Sequence, residues 1–162
     1  MAVAYIGLGS NLETPARYLR AGVAALEKLP STRVLVCSSF YRSAPVGVTD
    51  QPDFINAACV IQSDLPAADL MHRLLAIEHE QGRVRGAEKG GPRTLDLDLL
   101  LYDSEIVASP DLTLPHPRMH QRAFVLAPLA EIAPDLVVPG FGGVQALLRL
   151  CADQRVERLK DS

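Results

Sequence analysis

The sequence predicts an α+β domain in which helices pack on an antiparallel β-sheet, with its core elements in the order βαββαβ. Two observations predict this fold class. Apolar segments with a period of two alternate with segments whose apolar residues recur every three to four positions, and Pro or Gly residues separate them. The 162 residues also fit one ordinary domain, which we expect to span 1–162.

The predicted elements follow from local patterns along the chain. Short alternating or buried apolar runs indicate strands, and a proline at the start of an apolar stripe indicates the first turn of a helix. The core elements are a strand at 2–7, a helix opened by Pro15, strands at 32–41 and 54–62 as antiparallel neighbours, a helix from Pro66 to Gly82, and a strand within 93–101. This is the split βαβ order of ferredoxin-like folds, with two helices on one face of the sheet. The last third adds a hairpin strand near 105–107 and helices around 126–132 and 144–151.

The composition excludes several classes of protein. Hydrophobic residues are 48% and charged residues 22% of the chain, which is typical of a globular domain and not of a disordered one. A net charge of -3 argues against a general nucleic-acid-binding surface. Three cysteines without a CxxC pair indicate neither a disulfide framework nor a zinc knuckle. No apolar run reaches the roughly 18 residues that span a bilayer. We therefore expect a cytoplasmic monomer that binds neither membrane nor nucleic acid.

Two carboxylates lie one residue apart in the otherwise apolar stretch RTLDLDLLL. On a strand, the four leucines at odd positions from 95 to 101 point to the core, and Asp96 and Asp98 share the opposite face. Their Cα atoms are then roughly 6.6 Å apart, so both carboxylates can reach one metal ion or a pair of ions. A solvated strand face is the alternative interpretation.

The segment before this strand, GRVRGAEKGGPR at 82–93, combines four glycines with four cations, a composition suited to closing over an anion. Carboxylate oxygens favour Mg²⁺, which is commonly shared with substrate phosphates. Beside Asp96 and Asp98 this segment favours a magnesium–nucleotide site, although an ordinary solvated loop has the same composition. The stretch LPHPRMHQRAF offers His116 and Arg122 as a second phosphate-facing surface, and a capped loop with a surface histidine is the alternative. His116 and His120 lack the Glu of an HExxH motif, which argues against a zinc site.

Other motifs are absent or open to two interpretations. The chain has no GxxxxGK[ST], HRD, DFG or GxSxG motif, so neither a P-loop enzyme, a protein kinase nor a serine hydrolase is indicated. Phe54 and Phe124 are either core residues or the two sides of a slot for a flat heterocycle, with Asn56 supplying hydrogen bonds. A non-catalytic small-molecule sensor and a two-metal nuclease are the rival functions. The sensor does not explain the paired aspartates beside a cationic segment. The nuclease explains the aspartates, but it normally needs more acidic ligands and a broader basic surface than this acidic chain offers.

Taken together, these motifs resemble the 6-hydroxymethyl-7,8-dihydropterin pyrophosphokinase family over nearly the whole chain. The segments that carry the resemblance are GLGSNL, SSFYRSAPVG, QPDFINAA, EHEQGRVR, KGGPRTLDLDLLLYD, LTLPHPRM and RAFVLAPLAEIAP. The resemblance implies a ferredoxin-like α+β fold. It also implies an ATP-dependent diphosphotransferase of folate biosynthesis, which uses ATP and 6-hydroxymethyl-7,8-dihydropterin as substrates and releases AMP and the pterin diphosphate.

The resemblance further implies a role for each matched residue. Two Mg²⁺ ions are expected on Asp96 and Asp98, with Arg83 and Arg93 as further catalytic residues that meet the phosphates. The implied ATP contacts are Glu78, Arg85, Arg93, Leu99, Thr113, His116 and Arg122. The implied pterin contacts are Ser43, Pro45, Val46, Phe54, Asn56 and Phe124. The chain departs from the family pattern by Gly90 for Trp, Pro117 for Tyr, Leu75 for Gln and Lys89 for Arg, so we expect nucleotide contacts and loop closure to differ in detail.

Overall fold

The computed structural model of the protein describes residues 1–11, 14–45, 50–81 and 95–160. Within these ranges the strands are β1 (Ala2–Ser10), β2 (Thr32–Cys37), β3 (Tyr41–Ser43), β4 (Phe54–Ser63), β5 (Asp96–Tyr102), β6 (Val107–Ala108), β7 (Thr113–Leu114), β8 (Val137–Val138), β9 (Gly142–Gly143) and β10 (Val156–Arg158). The helices are α1 (Pro15–Glu27), α2 (Ala67–Glu80), α3 (Ala123–Ile132) and α4 (Val144–Leu150), with a 3₁₀ turn at Met119–Gln121. No helix in these ranges is long and apolar enough to cross a membrane.

The central sheet has the topology that the order of elements predicts. β4 pairs antiparallel with β1 on one side and with both β2 and β3 on the other, and β5 pairs antiparallel with β1. β10 extends the sheet beyond β3, and β6–β7 and β8–β9 form two small hairpins. The predicted ferredoxin-like α+β fold with a C-terminal hairpin and helices is confirmed.

The prediction of one continuous strand over 32–41 is wrong, because the chain is interrupted between β2 and β3. Ser38 still donates its N–H to the carbonyl of Ala58 (2.8 Å), but Ala58 returns its own N–H to the Ser38 hydroxyl (2.9 Å) instead of a backbone carbonyl. The N–H of Ser39 leaves the ladder altogether and donates to the carboxylate of Glu131 on α3 (3.0 Å to each oxygen). Polar side chains therefore divide the predicted strand into two.

Both faces of the sheet are covered by helices. α1 and α2 bury leucines against one face, α3 buries apolar residues against the other, and α4 packs on α3 and extends that second cluster. The first cluster includes Ile6, Leu19, Leu26, Leu70, Leu74, Leu95, Leu97 and Leu99. The second includes Ala58, Leu100, Leu101, Leu126, Leu129, Val144 and Leu147. Each fully buried leucine contributes about 1.5–3 kcal/mol relative to an exposed one, so both clusters stabilise the sheet.

β5 contains a β-bulge that the alternation of its sequence does not predict. Its register with β1 shifts between Tyr5, which pairs with Leu101, and Ile6, which pairs with Leu99, so that Leu100 is an extra residue. As a result, Leu101 packs with the α3–α4 cluster and not with Leu97 and Leu99. The prediction that the leucines at 95, 97, 99 and 101 share one face is therefore wrong for Leu101. Asp96 and Asp98 precede the bulge and keep their common face.

Candidate active site

A cavity of about 750 Å³ lies where the C-terminal ends of β1 and β3 meet the N-terminal ends of β4 and β5. α2 contributes to one side of it, and the β7–α3 segment contributes to another. Its polar and aromatic lining includes Ser43, Phe54, Asn56, Glu78, Asp96, Asp98, Asp111, Thr113, His116, Arg118, Arg122 and Phe124. Residues from distant parts of the chain therefore meet at one end of the sheet.

The floor of the cavity is a row of three residues on neighbouring strands. Gly9 of β1 pairs with Asn56 of β4 on one side and with Asp96 of β5 on the other. Directly opposed residues of an antiparallel pair point to the same face, so Asn56 and Asp96 flank a position without a side chain at a separation of about 10 Å. A Cβ on Gly9 would lie 3.2 Å from Oδ1 of Asn56. The glycine keeps the floor open.

Asn56 is held rigidly at one end of this row. Its side chain is buried, with 4% of its surface exposed, and its Nδ2 donates a 2.7 Å hydrogen bond to the hydroxyl of Ser43 on β3. Because a buried amide keeps its hydrogen bonds, this contact fixes the direction in which Asn56 presents its oxygen. The arrangement suits recognition of a donor–acceptor edge on a planar ligand.

Asp96 and Asp98 lie half-buried at the other end, on a strand whose paired neighbour among the described strands is β1 alone. Asp98 pairs with Gly7, so the second row of the floor also has a glycine beside a carboxylate. In the described part of the chain no group of three or more His, Cys, Asp or Glu could hold a metal ion. Two carboxylates leave most of the coordination to water and phosphate oxygens, which fits Mg²⁺.

His116 is a neutral hydrogen-bond donor at the same end. The pKa of His116 is lowered to about 4, chiefly by burial, with Arg122 and Arg118 acting in the same direction and Asp96 opposing them. Its Nδ1 accepts the backbone N–H of Arg118 (3.2 Å), so in the neutral ring Nε2 carries the proton. His116 can therefore donate to an anionic oxygen without adding a charge of its own.

Two arginines bring positive charge to the cavity. Arg118 and Arg122 both line it, and the guanidinium of Arg122 lies over the ring of Phe124 at 5.5 Å from the centroid. This cation–π contact holds Arg122 beside Phe124 of α3, which lines the cavity together with Phe54 of β4. Both arginines therefore add positive charge to a cavity that also contains the two carboxylates.

Glu78 has a structural contact besides its place in the cavity lining. Its carboxylate is buried, with 2% of the residue exposed, and Oε2 accepts the N–H of Leu97 at 2.7 Å. Leu97 lies between the two aspartates on β5. The carboxylate of α2 therefore fixes the part of the strand that presents Asp96 and Asp98.

Most of the predicted site residues in the described ranges come together in this cavity. The residues that line it are Ser43, Phe54, Asn56, Glu78, Asp96, Asp98, Leu99, Thr113, His116, Arg122 and Phe124. Pro45 instead lines an adjoining cavity of about 520 Å³, which shares Ser43 and Phe124 with the first. Val46, Arg83, Arg85 and Arg93, like the departures Lys89 and Gly90, lie outside the described residues.

Sequence reasoning missed several residues of the lining. Local patterns assign no functional role to Gly7 and Gly9, although both belong to β1 and leave the floor bare. Arg118 lies two residues after His116 in LPHPRM, and its charge was the available signal. Met71 and Asp111 had no signal, because only the packing of α2 and of the β6–β7 hairpin brings them to the cavity.

Comparison with the sequences of known proteins shows to which family this chain belongs. A sequence model of the family described as 7,8-dihydro-6-hydroxymethylpterin-pyrophosphokinase matches residues 5–134. The chain belongs to this family. It is 47% identical over 159 residues to the 2-amino-4-hydroxy-6-hydroxymethyldihydropteridine pyrophosphokinase of Haemophilus influenzae, covering 98% of this chain and 99% of that protein. The pyrophosphokinase of the same name from Pseudomonas aeruginosa is 46% identical over 155 residues, covering 96% and 95% of the two chains.

Solved structures with a similar fold come from longer proteins that contain a pyrophosphokinase part. An HPPK-DHPS structure in complex with substrates has a TM-score of 0.71 at 12% identity, and one from Plasmodium falciparum has a TM-score of 0.67 at 13% identity. Each match covers 94% of this chain but less than half of the other, 46% and 44% respectively. At such low identity the likeness shows the fold, and it agrees with the ferredoxin-like topology of the pyrophosphokinase family.

Proposed function

We propose that this protein transfers the diphosphate group of ATP to the hydroxyl of 6-hydroxymethyl-7,8-dihydropterin, and that it thereby produces AMP and the pterin diphosphate in folate biosynthesis. Membership of the pyrophosphokinase family supports the reaction. The observation that assigns this reaction to the cavity is the row Asn56–Gly9–Asp96. In this row a buried amide and the carboxylate proposed to bind metal lie on either side of a position without a side chain.

In this proposal the pterin ring lies between Phe54 and Phe124. Aromatic side chains stack on a flat heterocycle, and the buried Asn56 reads its polar edge, together with Ser43 and the segment that contains Pro45 and Val46. The ring then covers Gly9, and its hydroxymethyl group extends toward β5. A side chain at position 9 would fill that space.

The phosphates of ATP lie at the β5 end of the row. Asp96 and Asp98 would hold two Mg²⁺ ions, which would supply positive charge to the phosphates during an in-line transfer. Nε2 of neutral His116 donates to a phosphate oxygen, and Arg118 and Arg122 stabilise the charge that develops between the two substrates. Arg83, Arg85 and Arg93 add contacts from the cationic segment, and Glu78, Leu99 and Thr113 border the nucleotide.

The hydroxyl proton has two possible destinations in this scheme. Asp98 is the candidate base. It lies on the same face as Asp96, two residues farther along β5, where it pairs with Gly7. The alternative is that the hydroxyl loses its proton to solvent without a dedicated base, in which case Mg²⁺ held by Asp96 and Asp98 would supply the activation. If Asp98 is the base, Asp98→Glu assayed at saturating Mg²⁺ should shift the acid limb of the pH–rate profile.

The decisive experiment identifies the nucleotide product. The protein is incubated with Mg-ATP and the reduced pterin alcohol, and the products are separated by chromatography. We expect AMP and pterin diphosphate in equal amounts, and neither without Mg²⁺ nor without the pterin. ADP would indicate an ordinary kinase, and the absence of any pterin-dependent product would favour the sensor or the nuclease. Size-exclusion chromatography tests the predicted monomer.

A further inference from the structure

Cys37 and Cys59 are direct neighbours on adjacent strands, away from both cavities. They are register partners in the antiparallel pair of β2 with β4. Cys59 is fully buried and Cys37 is half-buried against the same apolar cluster, so the two side chains share a face of the sheet. Both are free thiols. No step of the proposed reaction uses either of them.

The hydrogen bonds between Ser38 and Ala58, the next residue pair along the two strands, define the geometry of the Cys37–Cys59 pair. Ser38 and Ala58 exchange hydrogen bonds, N–H to carbonyl in one direction and N–H to hydroxyl in the other. Bonded and non-bonded pairs alternate along an antiparallel ladder, so Cys37 and Cys59 form a non-bonded pair. The Cα atoms of such pairs are about 4.5 Å apart, which lies within the roughly 4.4–6.8 Å range of disulfide-linked cysteines.

The two neighbouring thiols are unequal. The adjacent Cys59 thiol lowers the pKa of Cys37, although burial and Glu27 oppose the shift. The adjacent Cys37 and burial raise the pKa of Cys59. Because the thiolate is the nucleophile, the more exposed Cys37 reacts first and Cys59 is placed to resolve the product.

We propose that Cys37 and Cys59 are a thiol modification site at which a hydroperoxide produces a reversible intramolecular disulfide. The thiolate of Cys37 attacks the outer oxygen of the peroxide, the O–O bond breaks, and water or an alcohol leaves. Cys37 is then a sulfenic acid. The sulfur of Cys59 attacks the Cys37 sulfur, the S–O bond breaks, and the departing hydroxide takes up the Cys59 proton as water. Two thiols lose two electrons, and the hydroperoxide accepts them.

The disulfide would close the segment between the two cysteines into a loop. This segment contains Ser43, Phe54 and Asn56, the side of the candidate site assigned to the pterin. A covalent link between β2 and β4 prevents the local unfolding in which these two strands separate. Amide hydrogen exchange in β2 and β3 therefore slows in the oxidised protein and recovers after reduction.

The test treats the folded, fully reduced protein with hydrogen peroxide, unfolds it, and alkylates the remaining thiols for mass spectrometry. We expect the loss of two hydrogens, one alkylated cysteine in place of three, and a peptide that joins Cys37 to Cys59. Dithiothreitol restores three alkylated cysteines. Peroxide treatment of the urea-unfolded protein is the control for geometry, and it should form this link at least tenfold more slowly.

Variants assign the link to its residues. Cys151→Ser leaves the disulfide intact, whereas Cys37→Ser and Cys59→Ala abolish it. Cys37→Ser replaces a half-buried residue, so it tests the proposal even if the cavity left by Cys59→Ala prevents folding. In folded Cys59→Ala, a sulfenic acid on Cys37 is trapped by a dimedone-type reagent. A link through Cys151, a link only between two chains, or three alkylatable thiols after peroxide treatment would each overturn the proposal.

Discussion

The two faces of β1 show how one strand contributes both to stability and to the site. Ala4, Ile6 and Leu8 point toward α1 and α2 and are almost completely buried. Gly7 and Gly9 point to the opposite face, beside the two aspartates, and offer no side chain at all. The period of two along a strand thus separates the residues that pack from the positions that leave room.

This separation extends to the neighbouring strands. On the face of Ile6, β4 and β5 contribute buried apolar side chains, which stabilise the sheet by burial and close packing. On the face of Gly9, they contribute Asn56 and Asp96, which face each other across the open floor. Substitutions on the face of Ile6 should therefore change stability, and substitutions on the face of Gly9 should change turnover.

The largest effect is expected from the carboxylates of the site face. Asp96→Asn or Asp98→Asn should lower kcat for AMP formation by about 10³-fold or more, because a neutral amide binds Mg²⁺ weakly and the phosphates lose their counter-charge. The free energy of unfolding should change by less than about 1 kcal/mol, since neither side chain belongs to an apolar cluster. Steady-state assays and urea titrations measure the two quantities. Full turnover in both variants would show that these two carboxylates do not hold the metal ions.

The opposite result is expected for the face that packs against α1 and α2. Ile6 is fully buried and lines neither cavity, so Ile6→Ala should lower the free energy of unfolding by about 2–5 kcal/mol. At a temperature where the variant is folded, its kcat should stay within about twofold of the unsubstituted protein. Ile106→Ala is the matched control, because Ile106 is 73% exposed and should lose less than about 0.5 kcal/mol. A loss of kcat in folded Ile6→Ala would show that the two faces are coupled.

The sequence predicts this two-faced arrangement only where local alternation decides it. Asp96 and Asp98 precede the bulge, so their common face followed from the period of two. Leu101 follows it, and nothing in a run of leucines marks the extra residue at Leu100. The position of a bulge depends on how β5 fits against β1, which is a property of the pair and not of one strand.

The same reason explains the other gaps in the prediction. The interruption after Cys37 depends on Glu131, which is 92 residues away from Ser39 in the sequence. The open floor at Gly9 depends on its partners Asn56 and Asp96, and a single strand does not reveal them. The family resemblance supplied residue roles that local patterns left open, and all of these roles, including those of Arg83 and Arg93, stay predictions.

A smaller effect is expected from adding one carbon to the floor. Gly9→Ala places a Cβ 3.2 Å from Oδ1 of Asn56, whose amide is tied to Ser43 and cannot move freely. The KM for the pterin should rise about tenfold, equivalent to about 1.4 kcal/mol, while kcat at saturation changes little. Gly143→Ala is the control, because a Cβ there meets nothing within 4 Å. An unchanged KM in Gly9→Ala would argue that the pterin does not lie over this strand.

The smallest effect is expected from Glu131, which lies on the α3 side of the sheet but outside both cavities. Burial raises its pKa, but hydrogen bonds from Tyr41 and Ser39, with the charge of Arg158, outweigh this and lower the pKa of Glu131 overall. A carboxyl whose pKa is lowered by folding stabilises the native state above its ordinary value of 4.5 and loses that contribution as the pH falls through the folded-state pKa. Glu131→Gln should therefore cost about 1 kcal/mol at pH 7 and progressively less below pH 4.5.

Urea titrations at pH 7 and at low pH measure this difference. Glu157→Gln is the matched control, because Glu157 forms an exposed ion pair with Arg42 at 3.9 Å and should change stability by less than about 0.5 kcal/mol at either pH. The kcat of Glu131→Gln should be unchanged, since its contacts hold the interruption between β2 and β3 and not the floor of the site. If the loss of stability were the same at both pH values, the carboxylate charge would not be what joins α3 to Ser39 and Tyr41.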